Sequence, residues 1–412
     1  MHPSPPCRLA HLQLLPLLSG VQRVSLDELR SLDRASYLPH LICKEPGPLS
    51  EQATAAGTAC HFVPDLVRPI SPRADLRALR QLVRLLRGLR PQVLHTHSSK
   101  TGMLGRVAGR LSRVPVVVHT VHGFAFPFAE SRLTRAIYHA LEYIGGHLCD
   151  ALVVLNEADR QFAVEKLHVR PQKVHLMPNG IDLSQFQALS AAQRQAVRCE
   201  LFPDGGDEPV CIGMVGRLWR QKNPECLVRA AVELQLRGCR DFRVVLIGDG
   251  DLRPDLEALI DRHAVGGAVR LLGWRDDVPR LLGALDIFVL PSRWEGLPLA
   301  IIEAMAAGLP VVASDIPGNR DLVDEGVDGH LFVDDDAIGL ADRLQALIAD
   351  RQRARAMGAA GRAKALREYS LERRTERVDA LYRQLLTTSA AQARLRRQQD
   401  PHDAPVDHST GP

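Results

Sequence analysis

The C-terminal half of the chain alternates short, wholly apolar runs with stretches of helical length. The runs are VCIGMVG (210–216), FRVVLIG (242–248), VRLLGW (269–274), IFVLP (287–291), LPVVAS (309–314) and HLFV (330–333). A strand that is apolar on both sides has to be covered on both faces, and helical crossovers between such strands make them parallel. The pattern therefore specifies a doubly wound α/β domain. The N-terminal half repeats it less cleanly. Its clearest strands are QVLHTH (92–97), VPVVVHTVH (114–122), DALVVLN (150–156) and KVHLMPNG (173–180), and LAHLQLLPLLSG (9–20) reads as the first buried strand.

The chain of 412 residues is long enough for two such domains. LFPDGGDEP (201–209), rich in Gly, Pro and Asp, reads as the linker. The expected organisation is an N-terminal domain over 1–200, a C-terminal domain over 210–370, a C-terminal helix over 371–390 packing back toward the N-terminal domain, and a disordered tail over 391–412.

Eight scattered cysteines without CxxC spacing argue for a reducing compartment, with neither a disulfide frame nor a zinc knuckle. No secretory signal is evident, because His11, Gln13 and Pro16 interrupt the N-terminal apolar run. The longest apolar run, 296–314, contains Glu303, Gly308 and two prolines, which argues against a membrane span. Residues 1–200 hold 24 Lys+Arg against 15 Asp+Glu, and the remainder holds 28 against 33. A basic half of about +9 beside an acidic half of about −5 points to an anionic partner.

EGLPLAIIEAMAAG (295–308) holds two carboxylates, Glu295 and Glu303, in an otherwise apolar setting. Pro298 suits a first helical turn, and Gly308 with Pro310 a C-terminal stop, which places a helix over 298–307. Eight helical residues span about 12 Å, too far for a shared-proton dyad and beyond the ~5–9.5 Å of a glycosidase pair. The two carboxylates therefore have different tasks. Ligands of open α/β sheets bind at the carboxyl ends of the strands, where helix N-termini accept phosphate. A carboxylate deeper in the helix can accept two ribose hydroxyls. The alternative, a surface glutamate on an amphipathic helix, fits poorly with Ile301, Ile302, Ala304 and Met305 around Glu303. In GMVGRLWRQKNP (213–224), Arg217 and Lys222 follow the first strand of the second domain. They suit a diphosphate, and alone they would read equally as solvated loop cations.

Taken in order, GRL…K, GDG (248–250), the E-x7-E pair, PVVAS…PG and MPNGID (177–182) resemble the retaining nucleotide-sugar glycosyltransferases of family four, which have the GT-B fold. The resemblance is strong from about 150 to 370 and continuous before that. It implies two Rossmann-like domains facing across a cleft that closes on the substrates. It implies Arg217 and Lys222 on the donor diphosphate, and Glu303 on the ribose hydroxyls. Glu295 would stand at the donor sugar with the following loop, Gly296 and Leu297, and GWRDDV (273–278), with Trp274 and Arg275, would edge the base. His122, in VHGF, matches the family's histidine that reaches the donor sugar from the N-terminal domain. The first loop reads SGVQ, where the family has two glycines and a glutamate. Ser19 and Gln22 depart from the pattern, and Gly20 remains on the diphosphate.

His95, His97, His119 and His122 raise the question of a metal. No carboxylate cluster accompanies them in the sequence, so none is expected. VDDDA (333–337) looks like a metal-binding DxD of another glycosyltransferase fold, but its place before a helix suits N-capping. No cofactor is expected either. RADLRALRQLVRLLRGLR (73–90) reads as a basic amphipathic helix with an apolar face of Leu76, Leu79, Val83 and Leu86 and a stripe of Arg77, Arg80, Arg84 and Arg87. It is read either as the solvated face of a crossover helix or as a contact with anionic lipid headgroups. No base-reading motif appears, so nucleic acid is not expected.

These readings converge on transfer of a sugar from a nucleoside diphosphate sugar, UDP favoured over GDP, to a hydroxyl with retention and without a metal. The expected acceptor is a polyprenyl-diphosphate-linked glycan of bacterial O-antigen, capsule or exopolysaccharide synthesis. The expected location is the cytoplasm, peripheral to the inner face of the plasma membrane. Rival readings are a sugar-nucleotide epimerase of the same two-domain plan and a non-enzymatic nucleotide-sugar-binding protein.

Overall fold

The computed structural model describes residues 5–68, 71–124, 131–202 and 209–399. The chain divides into two compact units, one made of 1–178 with 371–412 and the other of 179–370. The first carries β1 (Cys7–Leu12), β2 (Tyr37–Cys43), β3 (Ala59–Phe62), β4 (Val93–His97), β5 (Val116–Thr120), β6 (Ala151–Val154) and β7 (Val174–Leu176). The second carries β8 (Val210–Val215), β9 (Phe242–Ile247), β10 (Val269–Gly273), β11 (Ile287–Leu290), β12 (Val311–Ser314) and β13 (Gly329–Phe332).

Helices of the first unit are α1 (Gly20–Ser31), α2 (Pro48–Ala55), α3 (Pro72–Leu89), α4 (Ser99–Leu111), α5 (Arg132–Leu148) and α6 (Glu157–Glu165). The second unit has α7 (Ala191–Leu201), α8 (Pro224–Leu236), α9 (Arg253–Arg262), α10 (Val278–Leu282), α11 (Leu299–Ala306), α12 (Pro317–Arg320), α13 (Ala337–Ala349) and α14 (Arg351–Glu368). The chain then returns to the first unit with α15 (Leu371–Leu386) and α16 (Ser389–Gln399).

Strand order is β3-β2-β1-β4-β5-β6-β7 in one sheet and β10-β9-β8-β11-β12-β13 in the other. Every pairing between these strands is parallel. Both orders reverse direction once, between β1 and β4 and between β8 and β11. At such a switch point the two adjacent crossovers leave on opposite faces, and the crevice at the carboxyl ends opens to a ligand. The apolar strands are covered on both sides. Ile212, Val244, Leu246, Val289 and Val312 form one core with α8 and α13 residues. Leu9, Val93, Val118 and Val153 pack with Val378, Leu381 and Tyr382 of α15.

Four features differ from the sequence-based expectations. The unit boundary falls at Pro178/Asn179, ahead of 201–209. Residues 203–208 of that stretch lie outside the described residues, and α7 before it belongs to the second unit. Arg194 and Arg198 of α7 both donate to the Asp286 carboxylate, at 2.6 and 2.5 Å, in the turn before β11. The first strand is Cys7–Leu12 rather than a run through residue 20, because Pro16 ends any ladder and α1 begins at Gly20.

The inward stripe of α3 is Ala74, Ala78, Leu82 and Leu86, while Leu76 is exposed. Small alanines let the helix lie close to its neighbours, so the larger leucine turns outward. Finally, 391–399 is helical rather than a tail. Ala391 is buried, and Arg394 donates to both oxygens of Asp150, at 2.9 and 3.2 Å. The rest of the expected tail, 400–412, lies outside the described residues.

Candidate active site

Arg217, Lys222 and Glu295 come from the loops that leave β8 and β11, the two strands of the second unit's switch point. Lys222 Nζ donates to Glu295 Oε1 at 2.6 Å, and both side chains are largely buried. The loops are also tied through their backbones. Arg293 N–H donates to Gln221 O at 2.8 Å, and Gln221 Nε2 donates to Trp294 O at 3.0 Å. The cationic loop and the acidic loop thus form one rigid rim. The Arg217 guanidinium stacks over Trp219, 4.5 Å from the ring centroid, which orients the planar fork.

Glycines let backbones approach behind this rim. Gly248 of GDG has φ +140°, and a Cβ there would overlap the carbonyl oxygen of Gly216. Gly318, in α12, faces the Glu295–Gly296 backbone so closely that a Cβ would overlap the Gly296 carbonyl oxygen. The PG of PVVAS…PG is therefore the platform under the loop that holds Glu295.

The helix after that loop is α11. Pro298 occupies its N-cap and Gly308, at φ +79°, follows its C-cap. Glu303 lies within α11 and is 3% exposed, so it is not a surface residue of an amphipathic helix. Gly296 and Leu297 are buried, and the Leu297 side chain packs inward. Asn179 Nδ2 donates to Leu297 O at 2.8 Å. This residue, part of MPNGID, was assigned no role from sequence, yet it fixes the loop between Glu295 and α11. Asn179→Ala frees that carbonyl, and we expect kcat/KM to fall roughly ten- to hundredfold, on the scale of one or two lost hydrogen bonds to a positioned loop. Steady-state kinetics against the donor check this, and an unchanged value would remove Asn179 from the site's support.

The expected base-edging pair differs in character. Trp274 is 59% exposed at the carboxyl end of β10, with its indole N–H donating to Asp276 at 3.1 Å. Arg275 donates to Asp277 at 2.7 Å and to Glu200 at 2.9 Å. Those bonds raise its pKa, Asp277 contributing most. A guanidinium held by two carboxylates is a brace between α7 and the β10 loop, and Trp274 is the freer of the two to meet a base. In VDDDA, Asp336 caps α13 by accepting from Gly339 N–H at 2.9 Å. Asp335 is engaged by Asn223 at 3.1 Å and by Arg293 at 3.2 Å. Both are structural contacts.

In the first unit, Gly20 opens α1 just beyond β1, and His122 follows β5. His122 Nε2 lies 3.1 Å from His97 Nδ1. Burial, then the charge of Arg374, holds the His122 pKa well below the usual imidazole range, so it is neutral at physiological pH. His95 and His97 share a face of β4, but His119 points to the other side and lies 2.9 Å from Thr96 Oγ1. The sequence offered these histidines no acidic companion. The structure supplies one: Glu28 of α1, 1% exposed, has Oε2 3.9 Å from His95 Nδ1. His11 of β1 joins them, with His97 Nε2 3.4 Å from His11 Nδ1. Arg374 of α15 closes the group, its guanidinium 2.7 Å from Glu28 Oε1 and 2.6 Å from the Met177 carbonyl. His11, Glu28, Arg374 and Tyr382 were all missed from sequence.

Two doubly wound units, one of which presents cations and a buried glutamate around a helix N-terminus at its switch point, make the architecture of the GT-B glycosyltransferases. Residues 18–185 match the family model "Glycosyltransferase Family 4", and residues 209–350 match "Glycosyl transferases group 1". The chain is 39% identical over 379 residues to the UDP-Gal:alpha-D-GlcNAc-diphosphoundecaprenol alpha-1,3-galactosyltransferase of Escherichia coli, covering 91% of this chain and 96% of that protein. It therefore belongs to glycosyltransferase family 4, and it is a glycosyltransferase. The fold is shared with Anabaena HepE, solved with UDP and glucose, at a TM-score of 0.78 and 20% identity over 90% of this chain and 98% of that one. Sucrose-phosphate synthase of Thermosynechococcus elongatus superposes with a TM-score of 0.75 at 22% identity, over 93% of this chain and all (100%) of that one.

Proposed function

We propose that the chain transfers a sugar from a UDP-sugar to a hydroxyl of a polyprenyl-diphosphate-linked glycan, with retention and without a metal at the donor, in the making of a bacterial surface polysaccharide. The observation that carries the donor side is the Lys222–Glu295 pair at the β8/β11 switch point, ahead of the α11 N-terminus. The E. coli relative, which acts on UDP-Gal and a diphosphoundecaprenol-linked GlcNAc, supports the choice of base and the class of acceptor.

In this reading Arg217, Lys222 and the free N–H groups of α11 neutralise the diphosphate as it leaves, which is electrostatic catalysis. Without a donor, Glu295 satisfies Lys222. A bound diphosphate competes for the ammonium and turns Glu295 toward the sugar hydroxyls, beside the backbone of Gly296 and Leu297. Glu303 accepts the ribose hydroxyls, and Trp274, with Arg275 behind it, borders the base. Gly20 on the diphosphate and His122 at the donor sugar are carried by their motifs. The departing phosphate oxygen takes the acceptor proton, so the new bond forms on the face the old one leaves.

No helix among the described residues is long and apolar enough to cross a membrane. Contact with the cytoplasmic leaflet is assigned to α3 and α5. Arg80 and Arg84 of α3 are exposed, while Arg77 is engaged by Asp65 at 2.8 Å. Leu133, Ile137 and Ile144 are exposed on α5 at spacings of four and seven, an apolar stripe suited to the headgroup boundary. Reversing both arginines, Arg80→Glu with Arg84→Glu, is expected to lower partitioning onto vesicles containing anionic lipid by about 30-fold or more, at ~1 kcal/mol for each positive charge lost near the surface. Co-sedimentation at low and high salt reads it. Equal binding of variant and wild type would remove α3 from the contact.

The deciding experiment incubates the purified protein with UDP- and GDP-sugars, with and without lipid-linked glycan, with EDTA added at the start. Release of nucleoside diphosphate that needs one donor and the lipid acceptor, and persists in EDTA, is the expected result. An α-linked product from an α-linked donor establishes retention. Conversion of the sugar nucleotide with no acceptor would instead mean an epimerase, and binding without turnover a sensor.

A further inference from the structure

In the first unit, three histidines and a glutamate meet at the carboxyl ends of β1 and β4, in contact with His122. His11, Glu28, His95 and His97 are each at most 1% exposed. One ligand-competent atom from each lies within 4.8 Å of all the others. What distinguishes the cluster is the other atom of each side chain. His95 Nε2 lies 2.7 Å from Thr120 Oγ1, His97 Nδ1 3.1 Å from His122 Nε2, and His11 Nε2 3.3 Å from Tyr382 Oη. Glu28 Oε1 accepts from Arg374 at 2.8 Å. Each outer atom is thus held by a partner, which is how ligating histidines and carboxylates are oriented around an ion.

The remaining atoms are His11 Nδ1, His95 Nδ1, His97 Nε2 and Glu28 Oε2. His11 Nδ1 and His97 Nε2 are 3.4 Å apart, and His95 Nδ1 and Glu28 Oε2 3.9 Å. A tetrahedron with metal–ligand bonds of about 2.0–2.2 Å has edges of about 3.3–3.6 Å, so the first separation fits, while the second and the wider ones, up to 4.8 Å, have to contract around an ion. Glu28 Oε2 is buried with no hydrogen-bond partner, an arrangement that is costly unless something positive meets it. We infer that His11, His95, His97 and Glu28 form a closed, structural site for a divalent transition metal, zinc by donor type, that ties α1 to β1 and β4.

Three groups work against an ion. Tyr382 Oη stands 2.5 Å from His95 Nδ1, and Ser25 Oγ 2.9 Å from His11 Nδ1. Both hydroxyls have to yield those nitrogens. The Arg374 charge repels a cation, which places the affinity below that of a similar site without it. The Tyr382 hydroxyl both competes for His95 Nδ1 and holds His11 Nε2, so removing it should change metal affinity far less than removing a ligand.

The full chain is purified without chelator or metal-affinity steps, and its metal content is measured directly. Apo protein is then titrated with Co2+ and followed by visible absorption. The expected result is stoichiometric zinc in the wild type and an intense tetrahedral Co2+ spectrum. Glu28→Gln and His97→Asn should each weaken Co2+ binding by about 100-fold or more, and Tyr382→Phe should retain it. Absence of both zinc and the spectrum in the folded wild type would overturn the site, leaving a hydrogen-bonded histidine cluster. Metal held equally by the wild type and the Glu28 and His97 variants would also overturn it, as a surface ion only. Both readouts are taken on the protein itself, so they are independent of the transfer assay.

Discussion

Lys222→Ala is expected to lower kcat/KM for the donor by about 10³–10⁴, which is about 4–5.5 kcal/mol of transition-state stabilisation. Two effects add. The ammonium is a point charge for a diphosphate that gains negative charge as the sugar departs, and loss of one such preorganised group accounts for about 10²–10³. The second effect comes from the partner. Glu295 Oε1 accepts from Lys222 at 2.6 Å, so removing the lysine leaves a carboxylate facing the incoming diphosphate. Steady-state kinetics test the size of the loss. The double variant Lys222→Ala with Glu295→Ala should lose less than the sum of the single losses, because the repulsion disappears. A loss below tenfold, or strict additivity, would place the pair outside the chemistry.

Arg374→Met should destabilise the first unit by about 3–5 kcal/mol, the range for breaking a buried ion pair from one side. Arg374 and Glu28 are each at most 2% exposed, and the guanidinium also serves the Met177 carbonyl. Burial raises the Glu28 pKa, and Arg374 opposes that shift. In the metal-free protein, loss of the arginine raises the carboxyl pKa further, and the group takes up a proton in the folded state. A raised folded pKa means stability that is present at low pH and lost as pH climbs through it. The penalty of Arg374→Met should therefore be smaller near pH 5 than near pH 8 when unfolding is followed in urea. A penalty that does not change with pH would mean that Glu28 is not the group left exposed to the loss.

The second sheet was legible because its strands are buried on both faces. The runs at 210–216, 242–248 and 287–291 match β8, β9 and β11 to within a residue or two. A fully covered parallel strand has no reason to carry a polar residue until the ligand end. The first sheet was harder to read. β3 is an edge strand with Ala59 and Phe62 exposed, and β1 carries His11 near its carboxyl end. Lys222, Glu295 and Glu303 stood out because cations and carboxylates are rare beside such strands.

What stayed hidden shares one cause, distance along the chain. Glu28 reads in DELRS as a residue of a solvated helix face, and Arg374 reads the same way in LERRTERV. Their meeting across 346 residues has no local signal. Composition also misplaced the unit boundary. The Gly- and Pro-rich 201–209 reads as a linker, whereas the change of unit sits inside MPNGID, a segment read only as one of the family's motifs.

The interrupted first unit sets an order on synthesis. The ribosome releases its seven strands first, then the whole of 179–370, and only afterwards the helix that bears Arg374 and Tyr382. The second unit can close on itself while translation continues, since Ile181 N–H already meets the Tyr369 carbonyl at 3.0 Å near its two ends. Until the last forty or so residues emerge, Glu28 has no counter-charge and His95 no phenol. The half of the protein made first is thus the half completed last. A nascent chain stalled before residue 371 should hold a closed second unit tethered to an unfinished first one.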